Sequence, residues 1–152
     1  MRNLESRFLM KITAELGDVH EIGEGPLGRR QLVVVAGGRF EGPRLNGEIL
    51  SGGTDMILRR ADGAMCPDVR LTLKTDDGAI IEVTYRGIRH ASAEVMARIA
   101  AGEDVPADDY YLRNTPYFET GSEKYDWLNR IVAVGLGARA PNGAVYHIHE
   151  IL

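Results

Sequence analysis

The sequence is poor in cysteine and in long apolar runs. Its one cysteine, Cys66, cannot form an internal disulfide, which favours a reducing compartment and a cytoplasmic location. The longest apolar runs lie near residues 32–36 and 131–136, far short of the ~20 residues that a membrane span needs. The N-terminal stretch MRNLESRFLMKI has no continuous apolar core and no small-residue cleavage site. We therefore expect neither a signal peptide nor a membrane partner.

The sequence has no excess of positive charge, which argues against a nucleic-acid partner. The 18 Lys and Arg residues are outnumbered by 22 Asp and Glu residues, for a formal net charge of −4. No block of basic residues is present, so we expect no nucleic-acid partner. His147 and His149 share one face of the last strand, but no third ligand follows a zinc-site spacing. The sequence thus predicts neither a metal nor a cofactor.

Strand patterns dominate what remains. Ser92 can cap a single helix over Ala93–Ala101, with Gly102 after it. The other regular segments are β-branched or alternating runs bounded by turn residues. The predicted strands are Phe8–Leu16, Gln31–Ala36, Met56–Arg60, Val69–Thr75, Ala79–Arg86, Arg130–Ala138 and Ala144–Ile151. This pattern favours one mainly β domain with one short helix over residues 1–152, either a closed antiparallel barrel or a sandwich. Of the two we predict the closed antiparallel β-barrel, calycin-like or allene-oxide-cyclase-like.

One hairpin can be predicted down to its register. A three-residue loop, 76–78, places the apolar residues of both strands on one face. The resulting pairs are Leu73–Ile81, Leu71–Val83 and Val69–Tyr85 on that face, and Thr72–Glu82, Arg70–Thr84 and Asp68–Arg86 on the other. The second face is a ladder of complementary charges. It is either a solvated exterior or a polar barrel interior.

Glycine is concentrated in one segment, from Gly37 to Gly63, which contains seven of the 18 glycines. Neither nucleotide-binding spacing, G-x-G-x-x-G or G-x-x-x-x-G-K-[ST], occurs within it. A bent strand–turn–strand is the better interpretation, because glycine permits sharp curvature. We expect the bend to direct Phe40 and Asp55 into the barrel.

Aromatic residues are concentrated in a second segment. Six of the ten lie within 18 residues: Tyr110, Tyr111, Tyr117, Phe118, Tyr125 and Trp127. Rings with polar tips suit the wall or lid of a ligand pocket near one barrel mouth. An apolar plug for one barrel end and a subunit interface are the alternatives, so a homodimer or larger homo-oligomer stays open.

The polar residues expected nearest a cavity suggest acid–base chemistry. A carboxylate inside an apolar barrel has a raised pKa and exchanges protons near neutral pH, which is the role expected of Asp55 or Glu119. Arg70 and Arg113 would position a substrate anion through their planar guanidinium groups. Structural ion pairs between strands are an equal alternative for Asp68, Arg70 and Arg86. Tyr117 and Trp127 would stack on the substrate.

Three segments together resemble a known family. They are GGRFEGPRLNGEILSGGTDMILRRADG, DVRLTLKTDDGAIIEVTYRG and YYLRNTPYFETGSEKYDWLNR, and they are similar to domain-of-unknown-function family 3237, also called uncharacterised protein family 0311. The resemblance implies a single-domain antiparallel β-barrel without an established activity. Phe40 and Asn129, two matching positions, join the substrate-binding candidates. Met56 and Leu71 depart from the family pattern, which has aromatic residues there.

Three functions follow as hypotheses. The first is a cofactor-free isomerase, cyclase or lyase that acts on a small carboxylated or phenolic molecule. The second is a barrel that binds or carries a small ligand without chemistry. The third is a structural module that assembles through its aromatic segment. A carboxylate inside a cavity beside an arginine distinguishes the first from the others.

Overall fold

A computed structural model describes residues 2–152. It contains ten strands, one α-helix and two short 3-10 turns. The strands are β1 Ser6–Gly25, β2 Gly28–Glu41, β3 Asn46–Ile49, β4 Gly53–Arg59, β5 Met65–Cys66, β6 Asp68–Thr75, β7 Ile80–His90, β8 Tyr111–Glu119, β9 Ala133–Ala140 and β10 Gly143–Ile151. Helix α1 covers Ala93–Ala100, and the 3-10 turns cover Ala107–Asp109 and Asp126–Arg130. Ser92 caps α1 as expected, since its side chain accepts a hydrogen bond from the Val95 N–H.

The strands close into the expected antiparallel barrel. β1 pairs with both β2 and β10, and the chain of pairings continues through β9, β8, β7 and β6 back to β4 and β2. β3 and β4 pair with successive stretches of β2, so they follow one path around the barrel wall. The glycine-rich segment supplies the turn at 42–45 and the break at 50–52 along this path. Closure leaves few unpaired strand edges to attract other chains.

The β6–β7 hairpin has the predicted register. Leu73 pairs with Ile81, Leu71 with Val83 and Val69 with Tyr85, and Gly78 adopts a φ of +90° in the turn. All six paired residues are buried inside the barrel. The charged ladder therefore lies on the outer wall, where Arg70 pairs with Glu82 and Arg86 with Asp68. This resolves the alternative that the sequence left open.

One end of the barrel is packed shut. Glu150 is buried there, and its carboxylate accepts hydrogen bonds from Arg7 at 3.0 Å and Arg44 at 2.5 Å. The Arg44 guanidinium also lies 3.9 Å from the centre of the Trp127 ring. Phe40 is fully buried in the core cluster against which Trp127 packs. These contacts join β10, β1, the 42–45 turn and the Trp127 ring at this end of the barrel.

Two predictions about elements need correction. β1 and β2 are longer than predicted, because the hairpin that joins them extends to Gly25 and Gly28. The aromatic segment contains a wall strand, β8, between β7 and β9, rather than only a lid or plug. Pro116 is tolerated in β8 because the ladder with β9 involves only Arg113 and Asn114. No helix of residues 2–152 has the length and apolarity to cross a membrane.

Candidate functional site

A cavity of about 780 Å³ opens at the end of the barrel opposite Glu150. It lies where β4, β7, β9 and β10 meet the turn 141–142. Its charged lining residues are Glu15, Asp55, Arg59, Arg89 and Arg139, and its apolar ones include Ile57, Met65 and Leu112. A concave site with a few convergent polar groups on an apolar wall is typical of small-molecule sites.

Asp55 is the ionisable group with the clearest chemical potential in this cavity. It lies on β4 between Val33 of β2 and Val69 of β6, both buried. Its Oδ1 accepts one hydrogen bond, from the Asp68 N–H at 3.1 Å. Burial raises the pKa of Asp55 to about 6; the Asp68 carboxylate adds to the rise and the N–H opposes it. A carboxyl group with this pKa can both accept and donate a proton near neutral pH.

Two tyrosines accompany Asp55 in the barrel interior. The rings of Tyr85 on β7 and Tyr146 on β10 lie 5.3 Å apart, and both are buried. Burial raises the pKa of each phenol, and the negative charge of Asp55 raises both further. The positive charge of Arg89 opposes the rise in the pKa of Tyr146 but does not reverse it. Both phenols therefore remain protonated hydrogen-bond donors at neutral pH.

The Tyr146 ring fits beside a neighbouring strand because that strand has a glycine at the contact point. Gly137 on β9 is its cross-strand partner. A Cβ added at Gly137 would lie 2.6 Å from Cε1 of Tyr146 and 2.5 Å from Cγ of Leu112. The missing side chain thus leaves the space that the ring of Tyr146 occupies.

Arg89 is the most unusual cation of the cavity. Only 9% of the residue is exposed, and its Nε–H has no hydrogen-bond partner among residues 2–152. Burial lowers its pKa, and the nearby charges of Arg59 and Arg139 lower it further. An arginine that is desolvated and unpaired is energetically unfavourable unless something binds to it.

Asn114 is a second buried polar residue without partners. It lies on β8 between Gly87 of β7 and Gly135 of β9, and 2% of it is exposed. Neither its Oδ1 nor its Nδ2 makes a hydrogen bond within the described residues. The only other buried side-chain atom of this kind in residues 2–152 is Nε of Arg89, whose strand partner Leu112 is two residues away. Unsatisfied polar atoms are rare in folded proteins, but Asn114 is not among the residues that line the cavity.

Most of the residues predicted for the site do not line this cavity. Because β8 directs its even-numbered residues inward, Arg113, Tyr117 and Glu119 lie on the outer wall. Tyr117 is 58% exposed, and Glu119 is exposed as well. Arg113 stacks 4.9 Å from the ring centre of Tyr111. Arg70 also faces outward, in its ion pair with Glu82.

The remaining predicted residues divide between the two ends of the barrel. Phe40 and Trp127 belong to the packed end. Asn129 fixes a loop, since its side chain bonds the N–H and C=O of Thr120 at 2.8 and 2.9 Å. Asp55 alone lies in the cavity. The expected inward direction of Phe40 and Asp55 is thus observed, but the two are not brought together.

Sequence reasoning missed Arg89, Tyr146, Arg59 and Arg139. A signal for Arg89 was present, because Ile81, Val83 and Tyr85 alternate inward along β7 and the same period continues to Arg89. The period along β10 likewise directs Tyr146 inward with Ile148. Because the predicted strand ended at Arg86, the inward-facing period was not followed as far as Arg89.

A groove on the outer wall is a competing site. Its volume is about 490 Å³, and Arg70 and Tyr117 help to line it. Its charged groups are already engaged, however, since Arg86 pairs with Asp68 and Arg70 with Glu82. Such exposed pairs bring no desolvated group to a ligand. The barrel cavity is therefore the better candidate.

Sequence and structure comparisons identify relatives along nearly the whole chain. A family model described as "Protein of unknown function (DUF3237)" matches residues 4–151. A UPF0311 protein from Rhodopseudomonas palustris is 34% identical over 149 residues, which cover 98% of this chain and 97% of that protein. The crystal structure of a conserved protein of unknown function from the same species superposes with a TM-score of 0.96 at 33% identity, covering both chains completely.

Two further similarities extend this picture. A beta-barrel like protein from Acinetobacter baumannii has a TM-score of 0.86 and 37% identity, with 100% of this chain and 98% of that chain covered. The hydroalkoxylation enzyme phnH from Penicillium herquei is 29% identical over 133 residues, which are 88% of this chain and 72% of that enzyme.

Proposed function

This chain belongs to the DUF3237 family of proteins of unknown function, and we propose that it is an acid–base enzyme that moves a proton on a small organic molecule bound in the barrel cavity. The observation that carries the proposal is the cavity carboxyl group of Asp55, whose pKa burial raises to about 6. Perturbed carboxyl groups in clefts are typical of catalytic sites.

The reaction class follows from what the cavity offers. The Asp55 carboxylate removes a proton from a substrate oxygen and returns it to a carbon, while the Tyr146 hydroxyl donates a hydrogen bond to the charge that develops. The deprotonated oxygen forms a bond to one carbon of a carbon–carbon double bond, and as the π bond breaks the proton goes to the other carbon. The substrate O and H are thus added across the double bond, and the reverse reaction is an elimination. The similarity to a hydroalkoxylation enzyme over 88% of the chain supports this class.

The active protonation state follows from the pKa. Above about pH 6 the Asp55 carboxyl group is mainly ionised, and only that form accepts a proton. Activity therefore rises with pH through about 6 and levels off above it. A rate that is flat between pH 5 and 7 would contradict the assignment of Asp55 as the base.

A substrate-independent experiment tests the proposal. Purified protein is incubated in D2O with a small-molecule extract of the cells that produce it, and mass spectrometry records compounds that change or gain deuterium. Loss of the carboxylate in Asp55→Asn is expected to slow these changes by roughly 10²–10⁴-fold.

The matched control is Asp76→Asn, which changes an exposed turn carboxylate in the β6–β7 loop. It should behave like the wild-type protein. If Asp55→Asn transforms the same compounds at the wild-type rate, the proposal is wrong. A ligand that is bound and released unchanged would instead support a carrier.

A further inference from the structure

Three arginines in the cavity make no ion pair within residues 2–152. The Arg59 Nε–H donates to Oε1 of Gln31 at 3.1 Å, and Nη1 of Arg139 donates to the carbonyl oxygen of Glu103 at 3.1 Å. Arg89, 9% exposed, has no such partner for Nε. These arginines differ from those of the outer wall, such as Arg70 and Arg86, which pair with carboxylates.

Arg89 places a positive charge beside apolar residues of the cavity wall. Arg89 lies on β7, next to Met65 of β5 and Leu112 of β8, its strand partners. Both neighbours are buried apolar residues that line the cavity. A guanidinium on an apolar wall favours a ligand that combines an anionic head with an apolar body.

The charges of the cavity indicate how much negative charge the ligand carries. The lining contains three arginines and two carboxylates, Asp55 and Glu15. When both carboxylates are ionised, one positive charge is left over. A singly charged anion balances it, whereas a phosphate dianion does not.

We propose that the Arg89 end of the cavity binds the carboxylate of a singly charged organic acid with an apolar body, with Arg59 and Arg139 around it. The guanidinium fork matches a carboxylate with two parallel hydrogen bonds. The inference rests on the proposed function, because the anchored acid is the molecule that is presented to Asp55.

Benzoate and benzamide provide a matched pair of probes, since they share a ring and differ in charge. Binding is measured by calorimetry and by NMR titration of the ¹⁵N-labelled protein, with the Arg89 Nε–H as reporter. Benzoate is expected to bind at least about tenfold more tightly than benzamide, and to shift the Arg89 signal. A tenfold ratio corresponds to about 1.4 kcal/mol. Inorganic phosphate is expected to bind more weakly than benzoate.

Two variants assign the effect to Arg89. Arg89→Met should reduce benzoate affinity at least about tenfold and abolish the preference over benzamide. It should unfold at no lower temperature than the wild-type protein, because it removes an unpaired buried charge. Arg89→Lys keeps the charge without the fork, so it should lose affinity severalfold and still prefer benzoate.

Two control variants separate this inference from the proposed function. Arg70→Met, on the outer wall, should bind benzoate as the wild-type protein does. Asp55→Asn should bind benzoate at least as tightly, since a negative charge leaves the cavity, although its proton-transfer activity is lost. Equal binding of benzoate and benzamide, tighter binding of phosphate, or unchanged benzoate binding by Arg89→Met would overturn the proposal. Failure of Asp55→Asn to lose activity would leave the anion site standing and overturn only the chemistry.

Discussion

At the scale of single residues, the burial of Asp55 lowers the stability of the folded protein at neutral pH. Its carboxyl group holds a proton more tightly in the folded protein, where burial raises the pKa to about 6, than in the unfolded chain, where the value is near 4. The folded state therefore binds more protons between these values, and stability falls as the pH rises from about 4 to 6. The loss is about 3 kcal/mol and persists at neutral pH.

The variant Asp55→Asn should remove this loss. Its amide oxygen can still accept the hydrogen bond from the Asp68 N–H, whereas no charge is buried. We expect it to be about 2–3 kcal/mol more stable than the wild-type protein at pH 8. The difference should vanish near pH 4, as urea unfolding at both pH values would measure. A variant that is less stable at pH 8 would show that the folded state favours the ionised carboxylate.

Gly137 allows a sharp test of how Tyr146 is placed. Gly137→Ala brings a Cβ within 2.6 Å of the Tyr146 ring, so the ring must shift or the strands must separate. We expect a loss of about 1–3 kcal/mol, measured by thermal or urea unfolding, and weaker ligand binding in the cavity.

Gly121→Ala is the control for this prediction. An added Cβ at Gly121 has no atom within 4 Å, so its stability should be unchanged or slightly higher. Equal stability of the two variants would mean that β9 and β10 are loosely packed around Tyr146.

At the scale of elements, Glu150 joins β10 to β1 and to the turn between β2 and β3. Its burial opposes ionisation, but the hydrogen bonds from Arg7 and Arg44 outweigh it and lower the pKa of the carboxyl group. The stability that these bonds provide is present at neutral pH and is lost as the pH falls through the lowered pKa. The interaction is buried on the Glu150 side only, since the side chains of Arg7 and Arg44 are 56% and 35% exposed.

Glu150→Gln should therefore destabilise the barrel at pH 7, by about 1–3 kcal/mol. Glu82→Gln is the matched control, because it breaks an ion pair on the outer wall, where such pairs contribute little. Urea unfolding of both variants measures the contrast. Equal effects would mean that burial adds nothing to the Glu150 contacts.

Elements also show what the sequence could predict. The β6–β7 register followed from a period of two and a glycine turn, both local properties. β8 was missed because its aromatic residues suggested the wall or lid of a pocket. The cavity was mostly missed because Asp55, Arg89, Arg139 and Tyr146 come from four different strands. Their proximity depends on barrel closure, which no local pattern encodes.

At the scale of the whole molecule, stability is unevenly distributed. The hairpin of β1 and β2 extends past the barrel wall: β1 beyond Glu15 pairs with β2 only, and most of its residues there are exposed. Val19 and Ile22 lie on this exposed stretch. Few buried contacts hold it, in contrast to the core around Leu71 and Ile81.

Hydrogen exchange should reveal this difference directly. Amides of residues 17–25 are expected to exchange by local opening, at least about tenfold faster than those of 69–73 and 81–85, which open only on global unfolding. Mass spectrometry or NMR measures both regions in one experiment. Equal protection of the two regions would contradict the picture of an extended hairpin. Light scattering would measure whether the chain forms the homodimer or larger homo-oligomer that the sequence left open.

The two ends of the barrel should respond differently to mutation. The Glu150 end contains the contacts of Glu150 with Arg7 and Arg44, while the cavity end contains Arg59, Arg89, Arg139 and the turn at 141–142. Under the proposed function, mutations at the cavity end should change substrate preference and leave the contacts of the other end in place. A saturation library restricted to these mouth positions should thus yield mostly folded variants, from which new specificities can be selected.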